Sequence, residues 1–153
     1  METIEYINVH DRSEWGKGPW DDEPQDKIQW LDEASGLPCI VKRNPMGNWC
    51  GYVGVPAGHK FYQMDYENVD IEHPHGGLTY AAVCVAEGGP EHSICHIVEP
   101  GEPDDVWWLG FDCAHHMDVV PGLQRYIVIP DQTYRTLAFV QQECREFAAR
   151  LVE

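Results

Sequence analysis

The clearest periodicity lies at the C-terminal end. Leu137, Val140, Cys144, Phe147 and Leu151 recur at spacings of three and four, which draws one apolar stripe along a helix. Asp131 or Thr133 is the expected cap. Upstream, the apolar positions come in short runs bounded by turn residues. Cys39–Lys42 reads as a strand, Asn44-Pro45-Met46-Gly47-Asn48 as a turn, and Trp49–Val55 as the returning strand of a hairpin. Gly51 and Gly54 within that strand imply a close approach by another chain or by a ligand. Leu78–Val85, Ile94–Val98 and Val106–Cys113 complete the strands, the last being the most strongly apolar.

Residues 24–34 read as a short helix. Asp22 stands at its cap, Pro24 in its first turn and Gly36 beyond its end, with Ile28, Trp30 and Leu31 on its apolar side. Residues 56–77 read as mostly loop with a helical turn near Phe61–Met64, and Glu99–Asp105 as an exposed acidic loop. Short links between neighbouring strands favour antiparallel pairing. The expected fold is α+β: a four- or five-stranded, mainly antiparallel sheet, covered on one face by a long C-terminal helix and a short N-terminal one. At 153 residues the chain fits a single domain over 1–153 with one core.

Charge narrows the partners. The formal net charge of -16 repels phosphate backbones and anionic membranes, so direct nucleic-acid binding and membrane association are not expected. Met1–Glu5 is acidic and no apolar run reaches 18 residues, which predicts a cytoplasmic protein. In that compartment the six cysteines are expected as reduced thiols. Homo-oligomerisation stays open.

Two segments concentrate chemistry. His73-Pro74-His75-Gly76-Gly77-Leu78-Thr79 enters a strand. Its two histidines, at i and i+2 of extended chain, point the same way, and Gly76 and Gly77 would leave backbone N–H groups open to a ligand. Phe111-Asp112-Cys113-Ala114-His115-His116-Met117-Asp118 ends the strongest strand in two acids, two imidazoles and a thiol. Rigid strands often position functional loops of this kind. His75, Asp112, His115 and Asp118 are the candidate catalytic residues. Gly76, Gly77, Thr79, Trp49, Tyr52, Trp108 and Arg135 are candidate ligand-binding residues, the aromatics by stacking and Arg135 by holding an anion. His73, His75 and His115 could together hold a divalent metal with an open position. Cys113 is a weaker candidate nucleophile. The alternative for both segments is a glycine-rich turn and a capped turn carrying solvated imidazoles.

The blocks Trp49-Cys50-Gly51-Tyr52-Val53-Gly54-Val55-Pro56, His75-Gly76-Gly77-Leu78-Thr79-Tyr80 and Trp108-Leu109-Gly110-Phe111-Asp112-Cys113-Ala114-His115 with Asp118, closed by the Tyr134-Arg135 helix, resemble a small, poorly characterised protein family of bacteriophages and bacteria. The resemblance spans roughly residues 47–147 and brings no established activity. It implies an accessory, nonstructural phage protein, for instance one sequestering a host defence signal. Joined to the residues, this predicts a protein binding a small polar ligand, a nucleotide-derived molecule being one candidate. The first alternative is a metal-assisted or His/Asp acid–base hydrolase of a phosphodiester-type substrate. The second is an acidic inhibitor that mimics nucleic acid or blocks a basic partner.

Overall fold

In the computed structural model, residues 3–95 and 105–153 are described. Six strands form one antiparallel sheet: β1 (Ile4–Ile7), β2 (Gln25–Asp32), β3 (Leu37–Arg43), β4 (Trp49–Val55), β5 (Tyr80–Val83) and β6 (Trp107–Asp112). Their spatial order is β1-β2-β3-β4-β6-β5. One helix, α1 (Leu137–Leu151), covers one face. The α+β expectation holds in outline, with a larger sheet. The expected strand at Ile94–Val98 and acidic loop at Glu99–Asp105 fall mostly outside the described residues. Ile94 makes an isolated bridge to Val85.

The expected helix over 24–34 is a strand. Asp26, Ile28, Trp30 and Asp32 alternate with Lys27, Gln29 and Leu31, and β2 pairs with β1 on one side and β3 on the other. Asp22, taken as the helix cap, belongs instead to a 3-10 turn, Pro19–Asp22, and Pro24 lies between that turn and β2. Gly36, taken as the helix stop, sits at φ +75° in the β2–β3 turn, its N–H donating to the Asp32 carbonyl at 2.7 Å. Pairing with a strand on each side, which buries nearly the whole of β2, outweighs the local capping signals. The β3–β4 hairpin forms as expected. Asn44 Oδ1 accepts from the Met46 and Asn48 N–H groups, and Gly47 turns at φ +96°.

The apolar stripe of α1 packs Val140, Cys144, Phe147 and Leu151 against Val41, Trp49, Val53, Leu109 and Phe111. Gly51 makes this approach close: a Cβ there would lie 2.5 Å from the Phe111 ring and 2.8 Å from Cys144 Sγ. The cap is Thr136, whose Oγ1 accepts from the Phe139 N–H at 3.1 Å, not Asp131 or Thr133. Glu23 adds a second cap from far upstream, accepting the Leu137 N–H at 2.7 Å.

Charged side chains inside the core are the main feature the hydropathy pattern does not disclose. Arg43 is fully buried beside Glu23, Asp26 and Tyr134, with its guanidinium 4.2 Å from the centre of the Trp49 ring. It ties the first 26 residues to the hairpin and to the start of α1. Lys27, also fully buried, donates to the carbonyls of Pro90 at 2.6 Å and Ser93 at 2.8 Å. The expectation of six reduced thiols is corrected: Cys84 and Cys95 form a disulfide, with Cα atoms 4.8 Å apart. Among the described residues no helix is long and apolar enough to cross a membrane.

Candidate functional site

Two segments more than thirty residues apart in the chain meet beside the start of α1. Asp118 is 1% exposed. Its carboxylate accepts from His75 Nε2 at 2.9 Å, Arg135 Nε at 2.8 Å and the His115 backbone N–H at 3.0 Å. The turn after β6 places it there: the Asp118 N–H donates to the His115 carbonyl, and a bridge to Thr133 fixes it beside the approach to α1. Burial by itself would raise the Asp118 pKa. The hydrogen bonds from Arg135, His75 and the His115 N–H outweigh it and hold the carboxyl below its ordinary value.

An ionised Asp118 can only accept. His75 Nε2 must therefore carry the hydrogen, and in the neutral imidazole Nδ1 keeps the lone pair. Phe139 packs edge-on against the His75 ring, with centroids 5.2 Å apart, and Glu143 accepts the His75 backbone N–H at 2.9 Å. The His75 side chain remains 19% exposed.

His115 stands next to it, ring centroids 5.7 Å apart. Its Nε2 lies 3.3 Å from Asp112 Oδ1 but off the hydrogen-bonding direction, so this buried nitrogen has no hydrogen-bond partner among the described residues. The two groups are close and the directional bond is absent. Gly76 explains the packing: at φ +72°, a Cβ would lie 2.2 Å from His115 Nε2, so only glycine permits this approach. Asp112 accepts from Thr79 Oγ1 at 3.2 Å and from the Ala114 N–H at 3.0 Å, and stays partly exposed. Gly77 donates its N–H to the Pro74 carbonyl, so that N–H closes the turn.

Several candidates lie elsewhere. Trp49 and Trp108 are fully buried and Tyr52 is 8% exposed. Trp49 Nε1 donates to Glu23, and Tyr52 packs edge-on against Tyr80. None of the three has an open face for stacking on a ligand. His73 serves the loop: Nδ1 accepts the Leu78 N–H at 3.0 Å, so Nε2 donates to the Val69 carbonyl at 2.8 Å. With both ring nitrogens engaged, it does not join His75 and His115 as a metal ligand. Among the described residues no group of three or more His, Cys, Asp and Glu side chains is arranged to hold a metal ion. Cys113 is buried, and desolvation first, then the nearby Asp118, drives its pKa well up, the opposite of an activated nucleophile.

Sequence reasoning missed Glu143 and Phe139. Both lie on the face of α1 that meets the loop, and their own i, i+4 spacing along the helix is the signal that groups them. No family of known proteins, no curated protein and no solved structure matches this chain.

Proposed function

We propose that this protein binds a small polar, hydroxyl-bearing ligand at the meeting point of His75, Asp112 and His115. The observation that carries the reading is the convergence of the two segments on Asp118, which fixes His75 with an unengaged Nδ1 at a partly exposed position. His75 Nδ1 accepts one hydroxyl hydrogen bond, and Asp112 and Thr79 take others at the partly exposed end of β6. Gly76 lets the His115 ring pack against the His75 turn and so keeps the two imidazoles side by side. Asp118 and Arg135 position His75 and do not touch the ligand.

The residues favour hydroxyls over phosphates. One guanidinium, already paired with Asp118, stands among Asp112, Asp118 and Glu143. A ribose-bearing molecule fits through its sugar. The resemblance to phage accessory proteins is the only support for a sequestering role in a host cytoplasm. Isothermal titration with ribose, adenosine and adenosine monophosphate tests the proposal. Saturable binding that weakens at least tenfold in His75→Ala is expected, and the absence of binding by all three sinks it.

A second reading has its own support. His75 and His115 each face a carboxylate, and an imidazole oriented by a buried aspartate is suited to general-base work on a hydroxyl or a water. In this reading His75 removes the proton and His115 supplies one to the leaving group of a phosphodiester. Turnover of bis(p-nitrophenyl) phosphate separates the two: hydrolysis that disappears in His75→Ala marks an enzyme, and binding without hydrolysis marks a binder.

A further inference from the structure

A second site lies on the opposite face of the sheet, away from α1. The loop that follows β5 is closed on itself by the Cys84–Cys95 disulfide. Within it, Ser93 and His92 donate N–H groups to the Gly89 carbonyl, Val85 and Ile94 bridge, and Gly88 turns at φ +81° against the His92 side chain. Two lysines pin this loop to the sheet. Lys27 binds it through the Pro90 and Ser93 carbonyls, and Lys42 through the His92 carbonyl at 2.7 Å.

A cavity of about 410 Å³ opens between loop and sheet, lined by Lys42, Val85, Glu87, Gly88, His92 and Ile94. That volume lies within the usual range for small-molecule sites, roughly 300–1,000 Å³. Five of its six lining residues lie between the two cysteines. Among the described residues neither Lys42 nor Glu87 has an ion-pair partner, although both line the same cavity. Lys42 donates to one carbonyl, which leaves two of its three N–H groups. Burial lowers its pKa, as expected of an ammonium held partly out of water without a carboxylate beside it. In a chain of net charge -16, a part-buried cation without a carboxylate partner stands out as an anion-binding group.

We propose that this cavity binds a small aliphatic amino acid, its carboxylate on Lys42, its ammonium on Glu87 and its side chain against Val85 and Ile94, and that the Cys84–Cys95 disulfide holds the site together. A zwitterion satisfies both unpaired charges at once, whereas a simple anion leaves Glu87 facing it and a simple cation leaves Lys42 unpaired. The two apolar walls select a branched hydrocarbon side chain. None of these residues belongs to the His75 site, so the two proposals stand or fall separately.

The test is isothermal titration of the full-length oxidised protein with L-leucine, with 4-methylpentanoate and isopentylamine as analogues lacking one charge each. Saturable binding of leucine is expected, at least tenfold weaker for either analogue and for Lys42→Met and Glu87→Gln. Glu87 is exposed, so Glu87→Gln leaves the fold intact and serves as the check should Lys42→Met fold poorly. Absence of leucine binding, or equal binding by Glu87→Gln, overturns the site. In the Cys84→Ser, Cys95→Ser double variant, with circular dichroism unchanged, a tenfold loss is expected. Unchanged affinity there overturns the role of the disulfide.

Discussion

His75 Nε2 and Asp118 Oδ2 lie 2.9 Å apart although 43 residues separate them in the chain. The contact closes the His75 loop onto the turn after β6, and Arg135 locks the same carboxylate to the approach of α1. One buried acid therefore holds three otherwise separate segments.

Asp118→Asn keeps the shape of the side chain and removes the charge. It leaves Arg135 without its anion, and turns an amide hydrogen toward a donor. We expect a loss of about 2–4 kcal/mol, the range for breaking one side of a buried charged network. Urea unfolding followed by tryptophan fluorescence measures it. A loss below about 0.5 kcal/mol would mean that Asp118 does not organise the site.

The same residue sets part of the acid limit. Its folded pKa lies below the unfolded value of about 3.9, so the native state binds fewer protons than the unfolded chain as pH falls. The stability it confers is full above the unfolded pKa and is lost as pH drops through the folded one. Asp26 behaves alike: burial would raise it, but N–H groups of His10 and Val9 and the Arg12 guanidinium hold it low. Urea midpoints between pH 3 and 6 should fall less steeply in Asp118→Asn than in the parent. Parallel slopes would refute the assignment.

Gly76→Ala tests the meeting of the two histidines. Its Cβ would enter the His115 ring, and φ +72° disfavours any L side chain. We expect roughly 1–3 kcal/mol of destabilisation and displacement of His115, read as changed His115 imidazole shifts with the α1 amide shifts preserved. Gly36→Ala, at φ +75° with open space around its Cβ, controls for backbone strain alone.

Buried thiols give an alkaline signature. Desolvation pushes Cys50 up to about 12 and drives Cys39, Cys113 and Cys144 well up. Their folded values exceed the unfolded value of about 8.5, so the stability they support is present below that pH and falls as pH rises through 9 and 10. Native protein at pH 8 should react with Ellman's reagent far more slowly than urea-unfolded protein. Rapid labelling of Cys113 in the native state would restore it as a nucleophile.

Much of the frame was legible in the sequence. The stripe of α1, the Asn44–Asn48 turn and the apolar run of β6 are local signals that tertiary packing does not reverse. β2 was not, because Asp22, Pro24 and Gly36 mimic helix boundaries while the alternation of Ile28 and Trp30 with Lys27 and Gln29 decides the matter only once β1 and β3 flank it. Arg43 and Lys27 were equally hidden: a charge is read as surface until its carboxylates and carbonyls are seen to surround it. At the site, His75, Asp112, His115 and Asp118 could be singled out by type and clustering. Their convergence could not, since it depends on β6 lying between β4 and β5. Trp49 and Trp108 look like ligand platforms in sequence and are core because their strands are covered on both faces.

The most direct measurement is a long-range proton–nitrogen spectrum of the ¹⁵N-labelled imidazoles, recorded with and without adenosine. We predict His75 in the Nε2–H tautomer, as an ionised Asp118 demands, with its Nδ1 signal moving on addition of adenosine while His73, held by Leu78 and Val69, does not move. A His75 ring protonated on Nδ1 alone, or a His75 signal indifferent to adenosine, would contradict it.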